Sequence, residues 1–237
     1  MSIVRAVNDY FEVYKNLQKM CKYRGANEII QCPDCKAKIF ERREDFLQSF
    51  QATSSAQILA KRIADPYGRP DAYLLVFLIS DALGQISTKK NFKERIREAN
   101  SIYAQFPRNE NLAHELIIVV PQIQATSKLD KHIQEAREEK PSIDVTFVTC
   151  DRFCIEVPLH VSVPKHEIML PDEIAELSKS RHVDPSSFQK ICVSGPHQDA
   201  MAIWMGLLPR MLIRIHRFSD CVGSEIAYRY CVGGDKD

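Results

Sequence analysis

The sequence predicts an α/β fold in two parts: a three-layer-like α/β domain over about residues 1–158 and a small α+β domain over 159–237. Three observations predict it. A short, wholly apolar run at 72–80, a buried strand at 115–120 and a third strand at 143–149 alternate with amphipathic stretches, the pattern of parallel strands layered with helices. Beyond residue 159 the pattern changes to one helix, short strands and a closing hairpin. A chain of 237 residues, 45% hydrophobic and 27% charged, is long enough for two modest cores and too apolar for wholesale disorder.

The elements follow in order. Ile3, Val7, Tyr10, Phe11, Tyr14, Leu17 and Cys21 step by three and four, marking a helix over 2–24 with Ser2 as its cap and Gly25 as its stop. Residues 27–40 are polar and irregular and hold Cys32-Pro33-Asp34-Cys35. Helical spacing returns over 42–50 (Phe46, Leu47, Phe50) and over 54–64 (Ile58, Leu59, Ile63). The run Asp65-Pro66-Tyr67-Gly68-Arg69-Pro70 is a turn. A strand over 72–80 leads to a helix over 90–105, a strand over 115–120 stopped by Pro121, a helix over 127–139, a strand over 143–149 and a short element over 150–157.

In the C-terminal part, Pro171-Asp172-Glu173 opens a helix, with proline at the first turn and acids toward the positive end of its dipole. A strand over 188–193 and a Gly195-Pro196 turn precede Asp199, which caps a short helix through Met205 ended by Gly206. Strands over 211–216 and 226–232 form a hairpin around the loop 219–224.

Charge excludes some functions. The net charge is +1; residues 166–237 carry 8 basic and 10 acidic groups, leaving −2 there and +3 over 1–165. Neither part is a nucleic-acid binder by charge alone. No apolar run reaches about 18 residues, so no membrane span is expected, and the N-terminus has the pattern of neither a signal nor a transit peptide. Eight cysteines in a chain this size read as reduced thiols of the cytosol or nucleus.

The candidate chemical motifs are weaker than their ordinary readings. Cys32-x-x-Cys35 is half a zinc site; Cys21, Cys150 and Cys154 do not supply a second close pair, so no metal is expected. His160 and His166 lack the convergent carboxylates of a metal or proton-transfer site. Pro70-Asp71 with Glu138-x-Lys140 imitates a nuclease signature, but Glu138 and Lys140 fall at a helix end. The eight glycines form no nucleophile elbow, dinucleotide turn or phosphate loop. Lys89, Lys90, Lys93, Arg95 and Arg97, diluted by Glu94 and Glu98, read as a solvated helix face. No catalytic residue and no cofactor are expected.

The segment His160-x-x-Val163-Pro164-x-His166 resembles a signature of the fifth subunit shared by eukaryotic nuclear DNA-directed RNA polymerases, a family with a short archaeal counterpart. Asp199 followed by Trp204-Met205-Gly206 and Arg210-Met211-Leu212-Ile213-Arg214-Ile215 is similar to that family's Asp-Pro, Tyr-aromatic-Gly and Arg-Gly-x-Val-aliphatic-Lys-Ile, and Ala227-Tyr228-Arg229 to its Thr-Tyr-Arg. More weakly, Val120-Pro121 followed by Thr126-Ser127-Lys128 resembles the family's strand and Thr-Pro-Ser-Ala-Lys loop. Ala200 and Ile203 depart from the pattern, as in a divergent member or a paralogue specialised to one polymerase.

The resemblance implies a non-catalytic polymerase subunit of the nucleus or nucleolus. Residues 1–158 are then a jaw and 159–237 an assembly domain docked on the largest subunit, with His160, Pro164, His166, Asp199, Tyr228 and Arg229 at the subunit interface. Thr126, Ser127 and Lys128 are expected near downstream duplex DNA, where hydroxyls, backbone N–H groups and one lysine suit phosphate without reading bases. The alternative is a stand-alone scaffold or binding protein with a borrowed docking module and a zinc knuckle; an enzyme built on the α/β domain is the third class.

Overall fold

A computed structural model describes residues 9–31, 38–80, 89–106, 112–121, 143–195, 198–219 and 223–233. The chain forms two compact units. One comprises Met1–Ile63 and Pro70–Ile155, the other Ala64–Arg69 and Glu156–Asp237. The short loop 64–69 thus belongs with the C-terminal unit, which the sequence did not indicate.

The first unit is built on a five-stranded sheet ordered β1-β2-β3-β4-β5: Ala26–Ile30, Ser55–Arg62, Ala72–Ile79, Ala113–Val120 and Ile143–Thr149. β3, β4 and β5 are parallel, as expected, whereas β1, β2 and β3 are antiparallel. Helix α3 (Lys89–Tyr103) lays Ala99, Ile102 and Tyr103 on one face, against Leu75, Phe77, Leu116, Ile118 and Val145. Helices α1 (Tyr10–Tyr23) and α2 (Arg43–Thr53) belong to the opposite face, where Arg24, just past α1, meets Arg62 and Glu115. The arrangement is the three-layered α/β domain predicted.

Two elements differ from expectation. Residues 55–62 form β2 and not a helix. Every residue of it except Lys61 is buried, so neither face shows the alternation that marks a half-exposed strand, and Ile58 and Leu59 imitate helical spacing. Within the stretch 27–40, read as irregular, Ala26–Ile30 pairs along the edge of β2; the polar Asn27 and Glu28 hide it. The first helix is capped by Asp9, whose Oδ1 accepts from Phe11 N and Glu12 N at 3.1 and 3.3 Å; Ser2 lies outside the described residues. So do Cys32 and Cys35 and the helix expected over 127–139. The element at 150–157 consists of 3-10 turns at Cys150–Phe153 and from Val157.

An aromatic cluster joins α1 to α2: Phe11 and Tyr14 lie 5.5 and 5.0 Å from Phe46, which stacks on Phe50 at 5.1 Å. The Tyr14 hydroxyl donates to Lys38 O at 2.8 Å and accepts from Phe40 N at 3.3 Å, so the buried ring keeps its polar end satisfied.

The second unit carries a four-stranded sheet ordered β6-β8-β9-β7: Lys165–Ile168, Leu212–Ser219, Gly223–Val232 and Lys190–Cys192. β8 and β9 are the expected antiparallel pair, and Gly223, at φ 76, opens β9. Ile168, Ile191, Ile213, Ile215 and Cys231 share a core with Ala202 of helix α5 (Ala200–Met205). α5 is short but well determined. Asp199 caps it, Gly206 ends it at φ 60, and Trp204 is fully buried. Helix α4 (Pro171–Arg181) uses the Glu173 side chain to accept from Leu170 N at 2.8 Å.

Candidate docking interface

Register separates the second sheet into two faces. His166, Ile215 and Ala227 form one row, and Ile168, Ile213 and Arg229 the next, on the face that carries the core. Glu167, Arg214 and Tyr228 form a row on the other face, where α4 lies: Glu173 accepts from Arg214 Nη2 at 2.8 Å, and the Arg181 guanidinium sits 5.0 Å over the Tyr228 ring. Phe188 completes that stack at 5.4 Å.

The residues expected at a subunit interface therefore do not form one patch. His160 is exposed, and its Nδ1 accepts from Ser162 N at 3.2 Å, closing the turn that leads into β6. Pro164 is half-buried and offers its carbonyl to His166 Nδ1 at 2.7 Å. Burial lowers the basicity of His166, against the pull of that carbonyl and of the Asp199 carboxylate. Asp199 is occupied as a cap, accepting from Met201 N at 2.7 Å and Ala202 N at 3.4 Å. Tyr228 and Arg229 point to opposite faces, as neighbours on a strand must. Thr126, Ser127 and Lys128 lie outside the described residues.

A patch that sequence reasoning missed gathers at one end of the sheet. Lys165, at the start of β6, pairs with His216, so the turn before β6 lies beside the hairpin end of β8 and β9. Val161 in that turn is 96% exposed, and Leu159 71%. On the hairpin, Phe218 is 79% exposed and Ile226 47%; they share the face of His216, Arg214 and Tyr228. The available signal was alternation: Phe218 continues the polar series Arg214, His216, so it was placed to face solvent.

Next to this patch lies a charge network. Glu167 accepts from Arg214 Nε and His216 Nε2, both at 2.8 Å, and pairs with Lys165 at 2.5 Å. The hydrogen bond from Lys165, then those from His216 and Arg214, hold the Glu167 carboxyl at a pKa of about 2. Hydrogen bonding to Leu170 N and Arg214 likewise lowers Glu173. The network keeps a fixed, mixed-charge floor beside the apolar tip, the composition of an interface rim around a core.

Elsewhere, burial pushes the thiols of Cys21 and Cys231 up to about 12, which removes thiolate chemistry from both at neutral pH. Arg95 of the basic helix is paired with Glu98, which also accepts from Gln57 Nε2 at 2.8 Å. Among the described residues, no three His, Cys, Asp or Glu side chains converge as metal ligands would, and no helix is long and apolar enough to cross a membrane.

Exposed apolar side chains gathered at one end of a small sheet have the make-up of an interaction surface. The family description "RNA polymerase Rpb5, C-terminal domain" matches residues 155–231. The DNA-directed RNA polymerase subunit Rpo5 of Nitrosopumilus maritimus is 36% identical over 78 residues, 33% of this chain and 89% of that protein. Rpo5 of Sulfolobus acidocaldarius is 34% identical over 80 residues, 34% of this chain and 90% of that protein. The DNA-directed RNA polymerase RPB5 homolog of African swine fever virus is 27% identical over 118 residues, 49% of this chain; the match spans 55% of the viral protein. The chain belongs to the Rpb5/Rpo5 family of RNA polymerase subunits.

Proposed function

We propose that this chain is a non-catalytic, structural subunit of a DNA-directed RNA polymerase, joined to the largest subunit by its C-terminal unit. The observation that carries this is the apolar end of the second sheet, with Val161, Phe218 and Ile226 uncovered beside the ordered charges of Glu167, Arg214 and His216. An exposed tip of this kind is stable in water only at a cost, and a large partner removes it. Family membership supports the choice of partner.

The N-terminal α/β unit serves as the jaw. Its residues Thr126, Ser127 and Lys128 approach downstream duplex through weak, sequence-independent phosphate contacts, and the near-neutral charge of the unit keeps such contacts local. The resemblance of the signature segments supports a nuclear setting. A second reading is favoured by the length of the viral match: at 118 residues it is longer than the C-terminal family region, so a virus-encoded polymerase of the same design is the other setting.

Purifying the tagged full-length chain from its own cells tests the proposal. Recovery of the largest polymerase subunit with DNA-dependent RNA synthesis in the eluate is the expected result. Recovery of the chain without polymerase would contradict it, and the class of polymerase recovered separates the two settings.

A further inference from the structure

At the opposite end of β8 from Phe218 lies a recess of about 380 Å³, within the range of ligand sites. Its walls are Tyr67, Met169, Ile174, Leu208 and Met211, with Arg210 at the rim. Two thioethers let such a wall adapt to an entering side chain, and tyrosine and arginine are the residues that most often anchor a bound segment.

Arg210 carries a second observation. Its φ is 74, in the left-handed region that strains a residue carrying a side chain and that glycine adopts freely. The conformation is held by Arg210 N donating to Cys231 O at 2.9 Å and by the turn from Leu208 to Met211. The guanidinium is exposed, and among the described residues no carboxylate pairs with it. The loop that carries Tyr67 is fastened in place by Arg69, which pairs with Asp65 and donates from Nη1 to Met205 O at 2.6 Å. A strained arginine kept at the mouth of an apolar recess points to an anion that it meets there.

We propose that this recess binds a short segment of a partner protein, seating one bulky apolar side chain on Tyr67, Met169 and Met211 while Arg210 pairs with an adjacent aspartate or glutamate. The recess exists because the loop Ala64–Arg69 supplies Tyr67 to the C-terminal unit. A matched stretch of 78 or 80 residues cannot contain both Arg69 and Glu156, so the recess built this way belongs to the long chain and not to the stretch shared with the archaeal relatives. Its residue Met211 lies seven residues along the chain from Phe218 at the apolar tip, roughly 23 Å at strand spacing, so both surfaces can be occupied together.

The test uses the full-length chain with carbon-13-labelled methionine methyls. The probes are fluorescein-labelled octapeptides in which a central leucine, phenylalanine or tryptophan precedes aspartate, each with an asparagine control. Saturable shifts of the Met169 and Met211 methyls are expected, with binding at least tenfold weaker for the asparagine controls and for Arg210→Gly. Arg210→Gly should melt at or above the wild-type temperature, since glycine relieves the left-handed backbone; Arg210→Gln provides a second variant that keeps a side chain, and Tyr67→Ala should also weaken binding. The proposal is overturned if no peptide shifts those methyls at millimolar concentration, if binding is indifferent to Arg210→Gly, or if an oligonucleotide of equal charge shifts them equally.

Discussion

Arg62 donates from Nη2 to Oε1 of Glu115 at 2.6 Å, with the arginine side chain fully buried. Arg24, itself buried, takes the other carboxylate oxygen at 3.0 Å. One carboxylate thus serves two guanidiniums from the end of α1 and from β2, and Arg62 Nη1 finds no hydrogen-bond partner among the described residues.

Removing the shared charge strands two buried cations. Glu115→Gln should destabilise the N-terminal unit by about 3–5 kcal/mol, read from urea unfolding. Replacing Arg24, Arg62 and Glu115 together by apolar residues of similar volume should recover most of that loss. A near-neutral Glu115→Gln would mean that water reaches the triad.

This triad also marks how far the sequence could be read. β3 and the 116–120 stretch of β4 announce themselves as apolar runs because both faces of each are covered. β2 is covered just as well, but it includes Gln57 and Arg62, whose burial is made tolerable by Glu98 and Glu115 from distant elements. No local pattern encodes such partners. The same holds for the interface: the His160–His166 signature was legible as a motif, whereas the open tip at Val161, Phe218 and Ile226 depends on which strand lies beside which turn.

The C-terminal unit should weaken in acid. The folded Glu167 carboxyl, at about 2, lies below its unfolded value of about 4.3, so its contribution is present above about pH 4.3 and is lost as pH falls toward 2. Thermal melts across that window should show the loss, and Glu167→Gln should lower stability at neutral pH while flattening the acid dependence. An unchanged acid slope in Glu167→Gln would assign the effect to other carboxylates.

Asp199 separates a capping role from an interface role. Asp199→Ala should cost about 1 kcal/mol of stability through loss of the α5 cap, while Asp199→Ser should restore most of it. Loss of polymerase association at unchanged melting temperature would return Asp199 to the interface.

Lys128→Glu should reduce crosslinking of the chain to downstream duplex and leave its recovery with polymerase unchanged. If assembly fails instead, the roles of the two units are reversed.

Val161→Ser with Phe218→Ser should leave the unfolding free energy within about 0.5 kcal/mol of wild type, because both side chains are exposed. The same pair should abolish polymerase association if those side chains fill apolar pockets of the partner.

The most direct measurement is the copy number of this chain in purified polymerase, by quantitative mass spectrometry, for wild type and for the Val161→Ser, Phe218→Ser pair. One wild-type chain per largest subunit is expected, and almost none of the double variant. A wild-type chain that sediments alone, or a double variant incorporated at full stoichiometry, would contradict it.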